Sequence, residues 1–407
     1  MKLFFFFLFF FLLDLYFYFG ISPILSGLKG EAFYKILYWI SCVFIYLGIV
    51  YFAVNVHQER HFTVHIILSS LFFIFFISKL VGCFPLILDD ILRLFRFISK
   101  LFQVNNETYG VQRLEFLRKS ALLVSGVLFS TLLIGIKWGR YNFKKNYQDI
   151  VINNWSKLLD NYKIIHISDL HLGSFNNVKE LEIVVEMINE ENPDLVVFTG
   201  DLVNNYYHEA LPYVETLKKI KAKDGKYSVL GNHDYCDYVM LKRSSKEWKD
   251  NFNNLLKLQK EMGFELLLNE PRIIKKGNSH FNLVGVENWG AGNFNKDGDL
   301  DLAMNNVVDD VPTILLSHDP SHWTEQVLDS KYKIDLQLSG HTHGMQFGVE
   351  LPGIKWSPAK YRYKYWAGLY RKKDKQIYVN RGLGHLGYAG RVGIMPDISI
   401  LNIKSKS

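Results

Sequence analysis

Cysteine is scarce in this 407-residue chain. Of three residues, Cys42 and Cys83 sit inside long apolar runs and Cys236 lies in the polar remainder. A disulfide framework within that remainder is therefore excluded, and so is a structural zinc site of the thiolate kind. Positive charge is also modest, a formal net of +7 gathered largely beside the apolar runs, which falls short of the clustered basic footprint of a nucleic-acid binder. There is no internal repeat, no low-complexity stretch beyond the Phe-rich start, and no small-residue cleavage pattern beside Gly20 to Ser22. Past about residue 140 no apolar run exceeds the length of a buried strand.

Apolar residues, by contrast, are plentiful: 49% of the chain, with 31 Phe and 23 Tyr. They concentrate in residues 3–22, 33–54, 63–88 and 119–138, each near or above the roughly 20 residues that cross a bilayer. Residues 1–139 thus read as a four-helix transmembrane region, 140–159 as a linker and 160–407 as a separate domain. An amphipathic segment, 86–102, overlaps the end of the third span. It sets Ile87, Ile91, Leu94, Phe95, Ile98 and Phe102 against Asp90, Arg93, Arg96 and Lys100, a pattern for a helix on the membrane surface or packed on the other spans. Asp14, inside the first span, is expected at a helix end or facing the bundle.

An even number of spans puts the N-terminus and the large domain on one side. Arg93, Arg96, Lys100, Arg113, Arg118 and Lys119 lie between the third and fourth spans, against Arg60 alone between the second and third. The positive-inside tendency then makes the chain a multi-pass protein of the cytoplasmic membrane with its large domain extracytoplasmic. Lys137, Arg140, Lys144 and Lys145 flank the last span on the opposite side and pull the other way.

In the large domain, Lys163 to Ser168, Asp194 to Thr199, Lys226 to Leu230, Phe281 to Val286, Thr313 to Ser317 and Ile334 to Ser339 read as strands, with helices at Val178 to Glu190 and His208 to Lys221. Such alternation argues for a layered α/β architecture. Asp169 and His171, Asp201, Asn232, His318, and His341 and His343 each follow a strand end, the rim where α/β folds gather their sites. Residues two apart on an extended turn share a face, so Asp169 with His171 and His341 with His343 each offer two donors together. Carboxylate, amide and imidazole donors suit divalent Mn, Fe, Zn, Co or Ni. Each motif alone has a bland reading as turn chemistry; five in order make a metal site the stronger expectation. His166, His208, His280, His322 and His385 lack that placement and read as core or surface residues.

Asp169-Leu170-His171, Gly200-Asp201, Gly231-Asn232-His233-Asp234, Ser317-His318 and Gly340-His341-Thr342-His343 resemble the motifs of the calcineurin-like metallophosphoesterases, over residues 160 to 403. The resemblance implies an α/β fold, a four-layer α/β/β/α sandwich of two mixed sheets flanked by helices. It implies one divalent ion on Asp169, His171 and His343, a second on Asn232, His318 and His341, and Asp201 bridging both. Water shared by two such ions ionises near neutral pH and attacks phosphorus in line. His233 is the expected general acid and Asp234 the group that orients it. Gly200-Asp201-Leu202-Val203-Asn204-Asn205 lacks the Asp-Arg-Gly of the protein phosphatases. The chain is more similar to the bacterial membrane-associated branch, through His341-Thr342-His343-Gly344-Met345-Gln346 and Arg381-Gly382-Leu383-Gly384; Met345 stands where that branch usually has glycine.

Arg381 and Arg391 are expected phosphate clamps, with structural salt bridges as the other reading. The mixture of Trp356, Tyr361, Arg362, Tyr363, Tyr365, Trp366, Tyr370 and Arg371 suits either a membrane-interface loop or packing that closes the sandwich. The partners expected are the bilayer and a phosphorylated small-molecule or lipid substrate, with no nucleic acid. The rival is a non-catalytic scaffold of the same fold. If the large domain is extracytoplasmic, a reporter that works only in the cytoplasm will be silent when fused after Ser407, and activity from it would reverse the orientation.

Overall fold

The computed structural model describes residues 2–55, 62–100, 111–239 and 241–406. Arg60 lies outside the described residues, as do the side chains of Lys100 and Arg113. Two compact units are present, Met1–Lys137 and Trp138–Ser407.

The first unit holds four helices long and apolar enough to cross a membrane: α1 (Lys2–Leu25), α2 (Glu31–Asn55), α3 (Phe62–Lys100) and α4 (Val111–Ile134). The described part of the expected amphipathic segment, residues 86–100, is continuous with the third span, since α3 runs unbroken for 39 residues with Pro85 inside it; Phe102 lies outside the described residues. Arg93 and Lys119 lie in helices, not in an open loop, and pair with Asp89 at 2.8 Å and Glu115 at 2.6 Å. Asp14 faces the bundle interior, and its partner comes from 65 residues away: Lys79 Nζ donates to its Oδ1 at 2.6 Å. Tyr46 donates to the other carboxylate oxygen, Tyr38 donates to the Asp14 carbonyl at 2.8 Å, and Lys79 also donates to Cys42 Sγ at 3.2 Å.

The second unit is a sandwich. One sheet contains β1 (Lys144–Ile152), β2 (Tyr162–Ile167), β3 (Leu195–Phe198), β4 (Lys226–Ser228) and β5 (Glu265–Leu266). The other contains β6 (Glu270–Lys276), β7 (Ser279–Gly285), β8 (Thr313–Leu316) and β9 (Leu336–Ser339). A separate hairpin joins β10 (Val349–Leu351) to β11 (Ile354–Trp356); β12 (Gly368–Lys372) and β13 (Lys375–Val379) return to the second sheet and β14 (Asp397–Ser405) to the first. The spatial orders are β1-β14-β2-β3-β4-β5 and β12-β13-β9-β8-β7-β6.

The central strands β3 and β8 read as unbroken apolar runs because both faces are buried. Ile164 and Val197 face Leu283, Leu316 and Leu338 in the layer between the sheets. Their neighbours Ile165, Val196 and Phe198 face the opposite way, against Leu181, Val184, Val185 and Ile188 of helix α5 (Val178–Glu190). Asn177 starts that helix by accepting from the Glu180 N–H at 3.3 Å. The helix expected at His208 to Lys221 is instead two short 3₁₀ turns and one α turn, α6 (Val214–Leu217). Pro212 carries no N–H and interrupts any continuous ladder there.

The stretch 140–159 is a correction to its reading as a linker: β1 lies inside it and pairs in parallel with β14 over nine residues, Lys144 opposite Asp397 through Ile152 opposite Ser405. Its polar sequence, with only Ile150 and Ile152 buried, reflects a strand at the edge of the sheet.

Breaking the Asp14–Lys79 pair leaves one group without its partner in the bundle. Asp14→Leu or Lys79→Leu alone is expected to destabilise the helical unit by about 3 kcal/mol, and the double substitution by less than either. Unfolding in mixed detergent micelles, followed by circular dichroism, measures the cycle; additive losses would count against a coupled pair.

Candidate metal centre

Five of the seven expected ligand residues have left-handed backbone: Asp169 (φ 50°), His171 (φ 45°), Asp201 (φ 59°), His341 (φ 70°) and His343 (φ 48°). The mechanism anticipated from sequence, alternate residues on an extended turn, is therefore not the one used. Strands β2, β3 and β9 end, and the chain immediately turns into a conformation that costs non-glycine residues of order 1 kcal/mol each. Strain of this kind persists where the surroundings enforce it. Here Asp169 N–H donates to Gly200 O (2.9 Å) and His171 N–H to Asp201 O (3.0 Å), which lashes the first motif to the second. The Asp169 carboxylate accepts the His341 N–H at 2.9 and 3.0 Å, joining the first sheet's rim to the second's.

Two glycines permit this closeness. A Cβ on Gly200 (φ +95°) would lie 2.3 Å from Gly231 N, and one on Gly340 would lie 1.9 Å from Ser168 Oγ and 2.3 Å from Asp169 Oδ2.

The donor atoms converge. His171 Nε2 and His343 Nε2 are 3.1 Å apart, and His343 Nε2 is 3.4 Å from Asp169 Oδ1. Asn232 Oδ1 is 3.1 Å from His318 Nε2 and 2.8 Å from His341 Nδ1. Between these sets lies one oxygen, Asp201 Oδ2, 3.5 Å from His171 Nε2 and 3.2 Å from His318 Nε2. Its partner Oδ1 is occupied by the His233 N–H at 2.8 Å. Ligands bound at about 2.1 Å to one ion are separated by roughly 3 to 3.5 Å. The groups Asp169–His171–His343 and Asp201–His318–His341 can each hold a metal ion, and so can His171–Asp201–His233.

Electrostatics fit a cation. His171 Nε2 and His343 Nε2 face each other in a dry site, a pair that either one N–H joins or a cation between two lone pairs holds. Burial, with His171 and Arg391 adding to it, keeps His343 neutral, and burial pushes His171 down to about 3; neutral imidazole is the ligating form. Burial opposes charge on His318, yet Asp201 outweighs it and raises this imidazole to about 10. Burial likewise disfavours the Asp201 carboxylate, which His318 and His233 nonetheless hold well below its usual range. His318 Nδ1 donates to Thr199 O at 2.7 Å, orienting Nε2 into the site.

Several neighbours take roles that differ from expectation. Asp234 does not touch the His233 ring; its carboxylate accepts the N–H groups of Asp201, Leu202 and Gly231 at 2.8 to 2.9 Å and so shapes the loops. The His233 ring is set by the Asn204 carbonyl, which accepts from Nδ1 at 2.7 Å, and by stacking on Tyr238 at 4.5 Å. Arg381 and Arg391, expected to clamp phosphate, are 5% and 0% exposed. Arg381 pairs with Asp397 at 2.8 Å and with Glu350. Arg391 donates to the carbonyls of Arg381 (2.9 Å), Gly382 (3.0 Å) and Gly384, so both guanidinium groups are buried and engaged within the fold.

Tyr363, read from sequence only as part of the aromatic and basic segment, and Asp319, not read as a site residue, both reach His341. Tyr363 OH lies 2.8 Å from His341 Nε2 and Asp319 Oδ2 lies 3.5 Å from the same atom. The Asp319 that follows His318 directly was the available signal. His166, His322 and His385 are buried core residues as anticipated.

Residues 162–345 match the family model described as "Calcineurin-like phosphoesterase", and residues 1–140 match "Probable Calcineurin-like phosphoesterase, transmembrane domain". An uncharacterised metallophosphoesterase of Bacillus subtilis, YkuE, is 32% identical over 251 residues, covering 60% of this chain and 80% of that protein. A zebrafish (Danio rerio) "transmembrane protein with metallophosphoesterase domain" is 28% identical over 264 residues, 63% of this chain; the match spans 56% of that protein's length. The Escherichia coli phosphodiesterase YaeI is 27% identical over 246 residues, 60% of this chain and 82% of that protein.

Because a methyl group at residue 340 would collide with Asp169, Gly340→Ala is expected to cost about 1–3 kcal/mol of stability and to weaken binding of added Mn roughly 10- to 100-fold. Denaturant unfolding and metal titration measure the two effects. An unchanged Mn affinity would separate Asp169 from the centre.

Proposed function

This chain belongs to the calcineurin-like phosphoesterases, and from that premise we propose that it is a membrane-anchored phosphohydrolase with a two-ion centre. Asp169, His171 and His343 would hold one divalent ion and Asn232, His318 and His341 the other, with Asp201 shared. The observation that carries this reading is the position of Asp201 Oδ2 between His171 Nε2 and His318 Nε2, at 3.5 and 3.2 Å. Mn, Fe, Zn, Co or Ni would each accept these donors. Such ions supply Lewis acidity toward phosphoryl oxygen and activate water for attack on phosphorus.

The chain's own groups do the rest. His233, with Nδ1–H held by the Asn204 carbonyl, has Nε2 as the remaining nitrogen to deliver a proton to the leaving oxygen. Tyr238 fixes the ring plane. Tyr363, whose hydroxyl lies 2.8 Å from Nε2, orients His341.

A cavity of about 370 Å³ beside His341 is the proposed seat for the rest of the substrate. Phe294, Asp319, Arg362 and Tyr363 line it, and the rings of Phe294 and Tyr363 meet His341 edge-on. The volume suits a headgroup or small phosphometabolite. Asp319 Oδ2, buried and without a hydrogen-bond donor, would accept from a hydroxyl or amine, while Arg362 would meet anionic oxygen. A lipid-linked or envelope phosphoester or pyrophosphate is the substrate class preferred, since anchoring raises the encounter rate with amphiphiles.

The full chain is the proper test object, because a fragment starting near residue 150 would cut through β1. In detergent with Mn it is expected to hydrolyse bis-p-nitrophenyl phosphate or p-nitrophenyl phosphate. His233→Ala should lower kcat by about 10²- to 10⁴-fold with metal content kept, while Asp201→Asn should lose metal as well. A wild-type protein that binds Mn but cleaves neither ester would favour the non-catalytic scaffold.

A further inference from the structure

The β10–β11 hairpin is amphipathic in the reverse sense. Its register sets Val349 opposite Trp356, Glu350 opposite Lys355 and Leu351 opposite Ile354. Directly opposed residues share a face and successive residues alternate, so the charged pair lies on one face and the four apolar side chains on the other. The charged face is the one tied to the domain. Glu350 pairs with Arg381, itself held by Asp397, and Lys355 donates to the Ala367 carbonyl with its ammonium 5.1 Å from the Trp366 ring centre. Three of the four apolar residues are open to solvent, Val349 at 42% exposed, Leu351 at 61% and Ile354 at 58%, while Trp356 is half-buried.

The surroundings continue the pattern. Met345, six residues before Leu351, is 45% exposed and holds a left-handed φ of 49°. Immediately after the hairpin, exposed Lys360, Arg362 and Lys364 alternate with Tyr361, Tyr363 and Tyr365, each cation 5.1 to 5.8 Å from the ring that follows it. Tyr361 is 76% exposed. Between residues 344 and 366 there are four basic residues and one acidic one, Glu350, already paired inward. By contrast Trp366 is buried and Tyr365 packs on Trp323 at 4.7 Å, so part of this aromatic segment does close the sandwich.

We propose that the exposed face of residues 349–356, with Tyr361 and the flanking cations, docks the catalytic unit onto an anionic lipid bilayer. Aliphatic side chains at a hairpin enter the headgroup boundary, tyrosine settles at headgroup depth, and lysine and arginine meet lipid phosphate. The charge is complementary to such a surface, and the same chain carries four helices apolar enough to cross a membrane. Seating there would bring lipid headgroups to the mouth of the cavity that Arg362 and Tyr363 line. The docking itself does not require hydrolysis and is tested without it.

The three native cysteines are buried, so an environment-sensitive dye can be placed at Leu351→Cys, or at Ile354→Cys on the same face should the first variant misfold. Leu302→Cys, on an exposed position remote in sequence, is the reference. The full chain is reconstituted in phosphatidylcholine–phosphatidylglycerol vesicles containing nitroxide-labelled lipid. Quenching at 351 or 354 is expected to exceed that at 302 at least about threefold, and to fall when Lys360, Arg362 and Lys364 are all changed to Gln. Equal quenching at the hairpin and reference positions overturns the proposal. So does a dye shielded from aqueous iodide, unquenched by lipid nitroxide and cross-linkable between chains, which would make this face a contact between copies.

Discussion

Three carboxylates, Asp169, Asp201 and Asp234, are essentially shut off from water at the shared rim of the two sheets. A carboxylate in such a place is tolerated only where N–H groups or positive charge meet it. Much of the local architecture answers that demand. Asp234 gathers three backbone N–H groups and thereby folds two loops around itself. Asp169 takes the His341 N–H and ties sheet to sheet. Asp201, with one oxygen satisfied by the His233 N–H, has the other among imidazoles, and the charge left over is what makes the cluster fit to hold cations.

The same demand explains the backbone. Left-handed residues at five ligand positions are costly singly, and they hold because each carries a hydrogen bond or close contact that a relaxed turn would lose. It also accounts for the arginines. Arg391 sits wholly buried beneath His343, its guanidinium spent on backbone carbonyls of the loop 381–384, and its charge helps keep the imidazole neutral. A residue type suggestive of substrate binding thus serves the frame that aims the ligands.

The layered fold is legible in the sequence, and so is the set of side chains that meets at the rim, because both depend on local signals: apolar runs of strand length, followed at once by Asp, Asn or His. It is silent where the deciding partner is distant. β1 looks like a linker until β14, about 250 residues later, supplies its hydrogen bonds. Asp14 looks solitary until Lys79 is brought beside it by helix packing. The role of Asp234 hinges on which way its carboxylate turns, and the orientation of His233 on a backbone carbonyl that any residue at 204 could offer. The hairpin's outward apolar face is invisible in composition, since Val349, Leu351 and Ile354 would read as core in any strand whose charged face were not fastened inward.

The pairing of β1 with β14 has a consequence for how the protein is made. β14 lies between β1 and β2 in the first sheet, so β1 has no sheet neighbour until residues 397–405 are synthesised. At ordinary elongation rates that is a wait of roughly 10 to 50 s, during which β1 is an unpaired edge exposed to misassociation. Its exposed residues include Lys144 and Asp149, charges of the kind that disfavour edge-to-edge association. The first sheet is thus closed by a strand far along the chain, and a nascent chain released before β14 would leave β1 unpaired however complete its Asp, Asn and His motifs.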